Sequence, residues 1–125
     1  MADTDHLKPL EWIGSSLKDL RGFPADVRRD IGSALLLAQK GGKAAATMPL
    51  KGYGGAGVLE AIEDHRGDTY RAVYTVRFAT AVYVLHAFMK KSKSVRETPK
   101  AEMNLINRRL GDAERLHRTR LRGAP

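Results

Sequence analysis

The sequence predicts an α+β fold in which two helices precede an antiparallel sheet and a third helix follows it. Three observations predict this fold. An apolar stripe with three-to-four spacing follows Pro24, and a second such stripe follows Pro99. Between them, residues 58–89 contain three successive segments that predict strands, and two of them, 69–78 and 81–89, are rich in Val, Tyr, Phe and Thr. The predicted order is therefore strand, helix, helix, three strands, helix.

The N-terminal part of the chain predicts one short strand and two helices. Residues 8–13 are partly apolar, and their proline favours an edge strand because it cannot donate to a sheet. Either serine of the pair 15–16 can cap a short helix, and Pro24 suits the first position of the next one. The glycines at 41–42 end that second helix. Its predicted buried stripe is Val27, Ile31, Ala34, Leu35 and Ala38.

The middle of the chain predicts a loop and a three-stranded meander. Residues 42–57 are rich in glycine and predict a loop, which carries Lys51. Residues 58–64 predict a strand that turns into a hairpin with strands at 69–78 and 81–89. Three strands in succession, joined by short turns, form an antiparallel meander.

The two faces of this hairpin are predicted to differ in character. A two-residue loop at 79–80 would pair Ala72 with Ala87 and Tyr74 with Leu85, and side chains alternate between the faces of a sheet. The core face would then carry Tyr70, Ala72, Tyr74, Val76, Phe78, Tyr83, Leu85, Ala87 and Met89. The other face would carry Arg71, Val73, Thr75, Arg77, Val82, Val84, His86, Phe88 and Lys90. Because a core excludes unpaired cations, we expect the second face to be open to water or to a polyanion, although a one-residue slip would exchange the faces.

The C-terminal part predicts one more helix and a basic tail. Thr98 and Pro99 are a cap and a first helical residue, and the stripe that follows is Met103, Ile106, Leu110 and Ala113. Beyond Gly111 the chain is dominated by arginine, and its last residues are expected to fray. The chain of 125 residues predicts one domain over 1–125, with an ordered core at about 8–113.

Composition limits the classes of function. The net charge of +8 and the pI near 10.0 favour phosphate backbones, anionic membranes or an acidic protein as partners. The chain has no cysteine, no apolar run of the roughly 20 residues that span a bilayer, and no signal-peptide pattern at its start, so we expect a cytoplasmic protein. Its four histidines lack the spacing of metal ligands, and no phosphate-binding P-loop follows the glycines, so neither a metal site nor a cofactor is predicted.

Several short motifs resemble those of the RelE/ParE superfamily of bacterial toxins, and in particular its HigB-like, phage-related branch. The resemblance extends over about residues 8–113. The motifs are Leu50-Lys51 before a glycine-rich loop, Val58-x-Glu60, Gly67-x-x-Tyr70-Arg71-x-x-Tyr74, Val82-Tyr83-Val84-Leu85-His86-Ala87-Phe88-x-Lys90-Lys91-x-Lys93 and Thr98-Pro99-x-x-Glu102. The resemblance implies a RelE-like fold, a twisted antiparallel sheet with helices packed on one face.

The same resemblance implies a function. It implies the toxin of a type II toxin–antitoxin system, a ribosome-dependent mRNA interferase that is neutralised by a small antitoxin, often a helix-turn-helix protein. The toxin would be a homodimer or part of a toxin–antitoxin hetero-oligomer. In many relatives an arginine stands two places after the equivalent of Glu60, where this chain has Ile62. If that arginine assists cleavage, Arg66 or Arg71 must replace it, or the enzyme is weak.

Metal-independent RNA cleavage needs a base, an acid and cations that stabilise charge on the phosphate, and the open hairpin face offers such groups. The expected catalytic residues are Arg71, His86 and Lys51, and the expected RNA-binding residues are Lys90, Lys91, Lys93, Phe88 and Arg77. Each residue also has a structural interpretation. His86 can be a packed histidine with satisfied nitrogens, and Arg71 can pair with Glu60 across neighbouring strands. The lysines can simply make a strand end soluble.

Two other functions compete with the interferase. A ParE-like toxin would poison DNA gyrase by binding it, without any chemistry of its own. A degenerate toxin would keep only antitoxin binding, which the isoleucine at position 62 allows. Fold-level likeness alone does not decide between these functions.

Overall fold

The structure, a computed structural model, describes residues 7–54, 57–91 and 98–123. Lys93, one of the expected RNA-binding residues, lies outside these ranges. The elements in chain order are β1 (Leu10–Trp12), α1 (Ser16–Arg21), α2 (Ala25–Gln39), β2 (Thr47–Pro49), β3 (Val58–His65), β4 (Asp68–Thr75), β5 (Val82–Lys90) and α3 (Lys100–Gly123). The predicted α+β class is confirmed. One strand, β2, was not predicted, because it lies within the segment expected to be a loop.

The five strands form one sheet in the order β1-β5-β4-β3-β2. Strand β1 pairs parallel to β5, and the other neighbours pair antiparallel, as the meander predicts. The β3–β4 turn consists of two residues, Arg66 and Gly67, with φ values of 51° and 87°. Positive φ at both central residues is the requirement of a two-residue hairpin turn whose twist matches the strands it joins.

One face of the sheet is covered by α1 and α2. The stripe predicted for α2 is confirmed in full, since Val27, Ile31, Ala34, Leu35 and Ala38 are all buried. They pack against β3, β4 and β5 at Ala61, Ala72, Tyr74, Val82, Val84 and Ala87. Apolar burial of this extent, at about 25 cal/mol per Å², is the main source of the stability of this layer.

The register of the β4–β5 hairpin is partly as predicted and partly shifted. Ala72 pairs with Ala87 as expected, but Tyr74 pairs with Val84, because a β-bulge lies opposite the step from Val73 to Tyr74. The extra residue, Leu85, reverses the facing of the first half of β5. The connecting loop is also longer than predicted, at residues 76–81.

The reversal corrects the predicted faces of β5. Tyr83 and Leu85, which the sequence placed on the same core face as Ala72 and Tyr74, belong instead to the cluster on the opposite face, and Phe78 packs against that cluster. Val82 and Val84, which the sequence placed on the open face, lie in the α2 core. Met89, expected in the core, is 37% exposed.

Helix α3 covers most of the face that the sequence predicted to be open. Its residues Ile106, Leu110 and Ala113 pack on Val73, Tyr83, Leu85 and Phe88. The helices are therefore distributed over both faces of the sheet, and the expectation of helices on one face is wrong. The helix also continues to Gly123 through the arginine-rich segment predicted to be a tail. No helix within the described ranges is long and apolar enough to span a membrane.

Candidate functional site

A groove of about 1190 Å³ remains where α3 does not cover the sheet. The helix begins at Lys100 and its first buried residue is Ile106, so part of the face next to its first turn stays accessible. The groove has the outer halves of β3 and β4 as its floor, with the β2 end and the start of α3 as its walls. Its lining residues are Met48, Pro49, Leu50, Lys51, Gly52, Glu60, Ile62, Asp64, Thr69, Arg71, Thr98, Pro99, Lys100 and Met103.

A buried ion pair lies in the floor of the groove. The Nη1 atom of Arg71 donates to both carboxylate oxygens of Glu60, at 3.2 and 3.3 Å. Both side chains are nearly inaccessible, with 6% and 5% of their surfaces exposed. The Oγ1 atom of Thr98 donates to the Oε2 atom of Glu60 at 3.2 Å. The carboxylate is therefore held in one orientation by β4 on one side and on the other by Thr98, two residues before α3.

This pair joins diagonal neighbours rather than direct cross-strand partners. The residue opposite Arg71 on β3 is Ile62, and the residue opposite Glu60 on β4 is Val73. The Nε atom of Arg71 is buried and has no hydrogen-bond partner among the residues that the structure describes. Two of the expected catalytic residues, Arg71 and Lys51, thus line the same groove.

Lysines lie around the ion pair. Lys51, in the loop after β2, and Lys100, at the start of α3, are exposed residues of the groove wall. Lys90 is the β5 partner of Thr69, so its side chain leaves the sheet on the groove side, at the outer end of the hairpin. Lys91 follows as the next residue and is exposed. Positive charge at these positions attracts a phosphate backbone.

His86 is not part of the groove lining. Only 6% of its surface is exposed, and it lies between β5 and α3. Its Nε2 atom is 2.6 Å from the Oε1 atom of Glu102, and its Nδ1 atom is 3.3 Å from Nη1 of Arg109. The alternative that the sequence left open, a packed histidine with both nitrogens satisfied, describes this geometry.

Two further expected RNA-binding residues lie away from the groove. Phe88 is 7% exposed and stacks on the ring of His86 with centroids 5.1 Å apart, so the expected open stacking surface is absent at this residue. Arg77 lies in the β4–β5 loop, at the opposite end of the hairpin from Lys90, and pairs with Glu114 at 3.3 Å. Phe88 is enclosed because α3 covers this face, whereas Arg77 is distant because it belongs to the loop.

The glycine-rich loop is attached to α3. Tyr53 donates its hydroxyl hydrogen to the Oδ1 atom of Asn107. Burial raises the pKa of Tyr53, and the nearby Arg77 lowers it by a smaller amount. The hydroxyl therefore remains protonated and able to donate. This contact holds the loop that carries Lys51 beside the groove.

Carboxylates and histidines within the described ranges do not form a group of three or more that could hold a metal ion. The sequence did not identify the residues that form hydrogen bonds with the predicted site residues. Thr98 and Glu102 belong to a quoted motif, whose spacing was a usable signal. Arg109 had no such signal, because a single arginine on an arginine-rich helix is not distinctive.

Comparison with known proteins was informative at the level of the family. The model of the family described as "Phage derived protein Gp49-like (DUF891)" matches residues 18–111, a range that includes every residue of the groove. The chain belongs to this family. The assignment to the phage-related branch of the RelE/ParE superfamily, which the sequence resemblance indicated, is thereby confirmed.

A solved structure is also similar to the Gp49-like chain. It is the crystal structure of the toxin–antitoxin complex RelBE2 from Mycobacterium tuberculosis, in which one chain aligns with a TM-score of 0.45 and 18% sequence identity. The alignment covers 69% of this chain and 94% of that chain. No curated protein sequence matches the chain significantly.

Proposed function

We propose that this Gp49-like protein is the toxin of a type II toxin–antitoxin pair and that it cleaves mRNA on the ribosome within the groove. The observation that carries the proposal is the oriented carboxylate of Glu60, held by Arg71 and Thr98 on the floor of a groove with lysines at its walls. A fixed base beside fixed cations is what cleavage by an internal 2′-hydroxyl requires. Family membership and the net charge of +8 support the same proposal.

The proposed reaction transfers a phosphoryl group within the RNA strand. The 2′-oxygen forms a bond to the adjacent phosphorus while the bond from phosphorus to the 5′-oxygen breaks. The carboxylate of Glu60 accepts the 2′-hydroxyl proton, and the departing 5′-oxygen takes a proton from solvent. The products are a 2′,3′-cyclic phosphate and a 5′-hydroxyl end.

The cations have separate roles in this proposal. Arg71 and Lys51 hold the phosphate and stabilise the charge that develops on it. Lys90 and Lys91 position the RNA backbone along the outer end of the hairpin. The arginine that many relatives carry at position 62 is replaced by Arg71, since the two positions face each other across β3 and β4. Arg66 is a poorer replacement, because it lines a separate cavity with Pro24 and Asp26.

The partners follow from the same proposal. A small antitoxin neutralises the toxin in a hetero-oligomer. The antitoxins of the toxins that this chain resembles are often helix-turn-helix proteins. An acidic segment of that antitoxin would match the basic surface of the toxin. The place of action is the cytoplasm, where translating ribosomes and their mRNA are found.

The test is induced expression of the wild-type chain and two matched variants, followed by mapping of mRNA 5′ ends. We expect wild-type expression to arrest growth and create new 5′-hydroxyl ends. Glu60→Gln replaces the carboxylate by an amide of nearly the same shape. It should reduce the rate of cleavage about 100-fold or more, because the general base is lost. Glu63→Gln, three residues further along β3, is the control and should retain cleavage.

Each other outcome identifies an alternative. A DNA-damage response without new RNA ends would replace the interferase by a gyrase poison. Unchanged growth and mRNA, in a chain that still binds its antitoxin, would indicate a degenerate toxin. Full cleavage by the Glu60→Gln variant would show that another group is the base.

A further inference from the structure

Arg109 is attached to several parts of the fold at once. Its Nη1 atom donates to the carbonyl oxygen of Leu85 at 3.1 Å, and its Nη2 atom donates to Oγ of Ser15 at 3.0 Å. Its guanidinium also lies against Gly14, where an added Cβ would be 2.8 Å from Nε. Gly14 has a φ of +57°, so both the backbone and the available space favour glycine there. The guanidinium therefore has little freedom to move.

The fixed guanidinium determines the tautomer of His86. Arginine has no acceptor atom, so the 3.3 Å contact from Nη1 to Nδ1 requires a lone pair on Nδ1. The remaining ring nitrogen, Nε2, must carry the hydrogen, which it donates to the Glu102 carboxylate at 2.6 Å. A second proton on Nδ1 would point directly at the N–H group of Arg109. The groups that face the imidazole thus select its neutral Nε2–H form.

Both contacts of the imidazole come from one helix. Glu102 lies in the first turn of α3 and Arg109 lies two turns later, so His86 is held between two points on the same face of that helix. Thr98, which orients Glu60, is four residues before Glu102. The imidazole consequently fixes the end of α3 that forms the wall of the groove.

This arrangement argues against proton transfer by His86. The ring is absent from the lining of the groove, which Glu60 does line, and both of its nitrogens are held by residues of α3. A general acid or base must be within hydrogen-bond reach of the reacting group. We propose that His86 is a positioning residue, a neutral Nε2–H imidazole held between Arg109 and Glu102, that keeps Thr98 in contact with the catalytic carboxylate of Glu60. This inference rests on the proposed ribonuclease function.

The test combines a spectroscopic measurement with two substitutions in the full chain. Imidazole ¹⁵N NMR reports which ring nitrogen carries hydrogen, and it needs no enzymatic activity. We expect a single tautomer for His86, with Nδ1 unprotonated. His86→Gln retains an N–H donor toward Glu102 but cannot transfer protons, whereas His86→Ala loses both contacts. His65→Gln, at the half-buried last position of β3, is the matched control.

The activity measurement is cleavage of translated mRNA over a range of pH. If His86 positions α3, His86→Gln should cleave RNA within about tenfold of the wild-type rate and with the same pH profile, while the cleavage rate of His86→Ala should fall about 100-fold. If His86 were instead a general acid or base, the rate of both variants should fall about 10²–10⁴-fold. Equal losses in both folded variants would overturn the proposal, as would full activity of His86→Ala or a protonated Nδ1. If the wild-type chain does not cleave RNA, the ribonuclease proposal fails, and the NMR spectrum alone decides the state of the imidazole.

Discussion

The two faces of the sheet bury their polar groups in different ways. On the α2 face the buried contacts are almost wholly apolar, and the charged residues of α2 are exposed. On the α3 face the sheet carries Glu60, Arg71 and His86, all less than 7% exposed and all paired. Buried ion pairs contribute little net stability compared with apolar residues of similar volume. Apolar clusters stabilise both faces, and the charged groups that the α3 face buries in addition are better explained by function.

The largest expected effect comes from separating the two members of the groove ion pair. Arg71→Met leaves the Glu60 carboxylate buried without its cation, which should lower the free energy of unfolding by about 3–5 kcal/mol. The double variant Arg71→Met/Glu60→Leu removes both charges and should recover most of that loss, because apolar replacements of buried pairs are often neutral or stabilising. Denaturant titration of the two variants and the wild type measures both quantities.

Toxicity in the same variants distinguishes stability from function. We expect the double variant to be as inactive as the single one although it is well folded. If the stable double variant were still toxic, the ion pair would be structural, and the contrast between the faces would lose its functional meaning. Ile31→Ala is a control from the α2 face, since Ile31 is fully buried in the apolar cluster there. It should lose about 2–5 kcal/mol and lose toxicity only in proportion to unfolding.

A smaller effect on stability is expected from substitution of Phe88, which the sequence assigned to RNA binding and the structure places in the core. Phe88→Leu should cost no more than about 1.5 kcal/mol of stability, because the change is a nearly volume-conserving replacement in a core. It should leave RNA cleavage unchanged, since the ring stacks on His86 and belongs to the α3 cluster. The measurements are thermal unfolding and primer-extension mapping of cleaved mRNA.

The control is Met89→Leu, at the adjacent and more exposed position on the other side of β5. The alternative hypothesis, that Phe88 stacks on an RNA base, predicts a different result. Loss of the ring would then weaken RNA binding by about 1–3 kcal/mol while stability stayed nearly constant. Weaker RNA binding at unchanged stability would show that Phe88 is an RNA-binding residue.

Much of the fold could be predicted because local patterns and tertiary contacts agree. The α2 stripe keeps its three-to-four spacing at all five buried positions. The pairing of Ala72 with Ala87 agrees with the prediction because the bulge offsets the one-residue shift between Tyr74 and Val84. The bulge at Leu85 could not be predicted. Residues 81–88 are apolar on both sides except for His86, so a one-residue insertion leaves no break in alternation. The covering of the second face was missed for the same reason.

The site was predictable only in part, because its residues belong to elements that are distant in sequence. Arg71 and Lys51 were identified by residue type and motif, and their common groove follows from the sheet. The contacts of His86 depend on how α3 docks, and a helical stripe gives the buried face of a helix without giving its partner. The assignment of His86 to catalysis therefore depended on a face that the sequence placed in water.

The smallest expected effect is a pH dependence on the α2 side of β3. Burial raises the pKa of Glu63 above its ordinary value of 4.5, and Asp30 and Asp64 raise it further. The folded state therefore holds this proton more tightly than the unfolded state, so Glu63 lowers stability as the pH rises through and above 4.5. Glu63→Gln removes the penalty. We expect it to stabilise the protein at pH 7 by less than about 0.5 kcal/mol, as is usual for a partly exposed position.

The difference between Glu63→Gln and the wild type should vanish in acid, where the carboxyl is protonated in both states. Urea titrations at pH 7 and near the lower end of the stable range measure the change. Asp30→Asn should give a gain of the same sign, because it removes one of the two like charges that face Glu63. A loss of stability at pH 7 would mean that Glu63 has a cation partner on this face. In that case the two carboxylates of β3, Glu60 and Glu63, would be stabilised in the same way, and only the groove beside Glu60 would distinguish the two sides of the sheet.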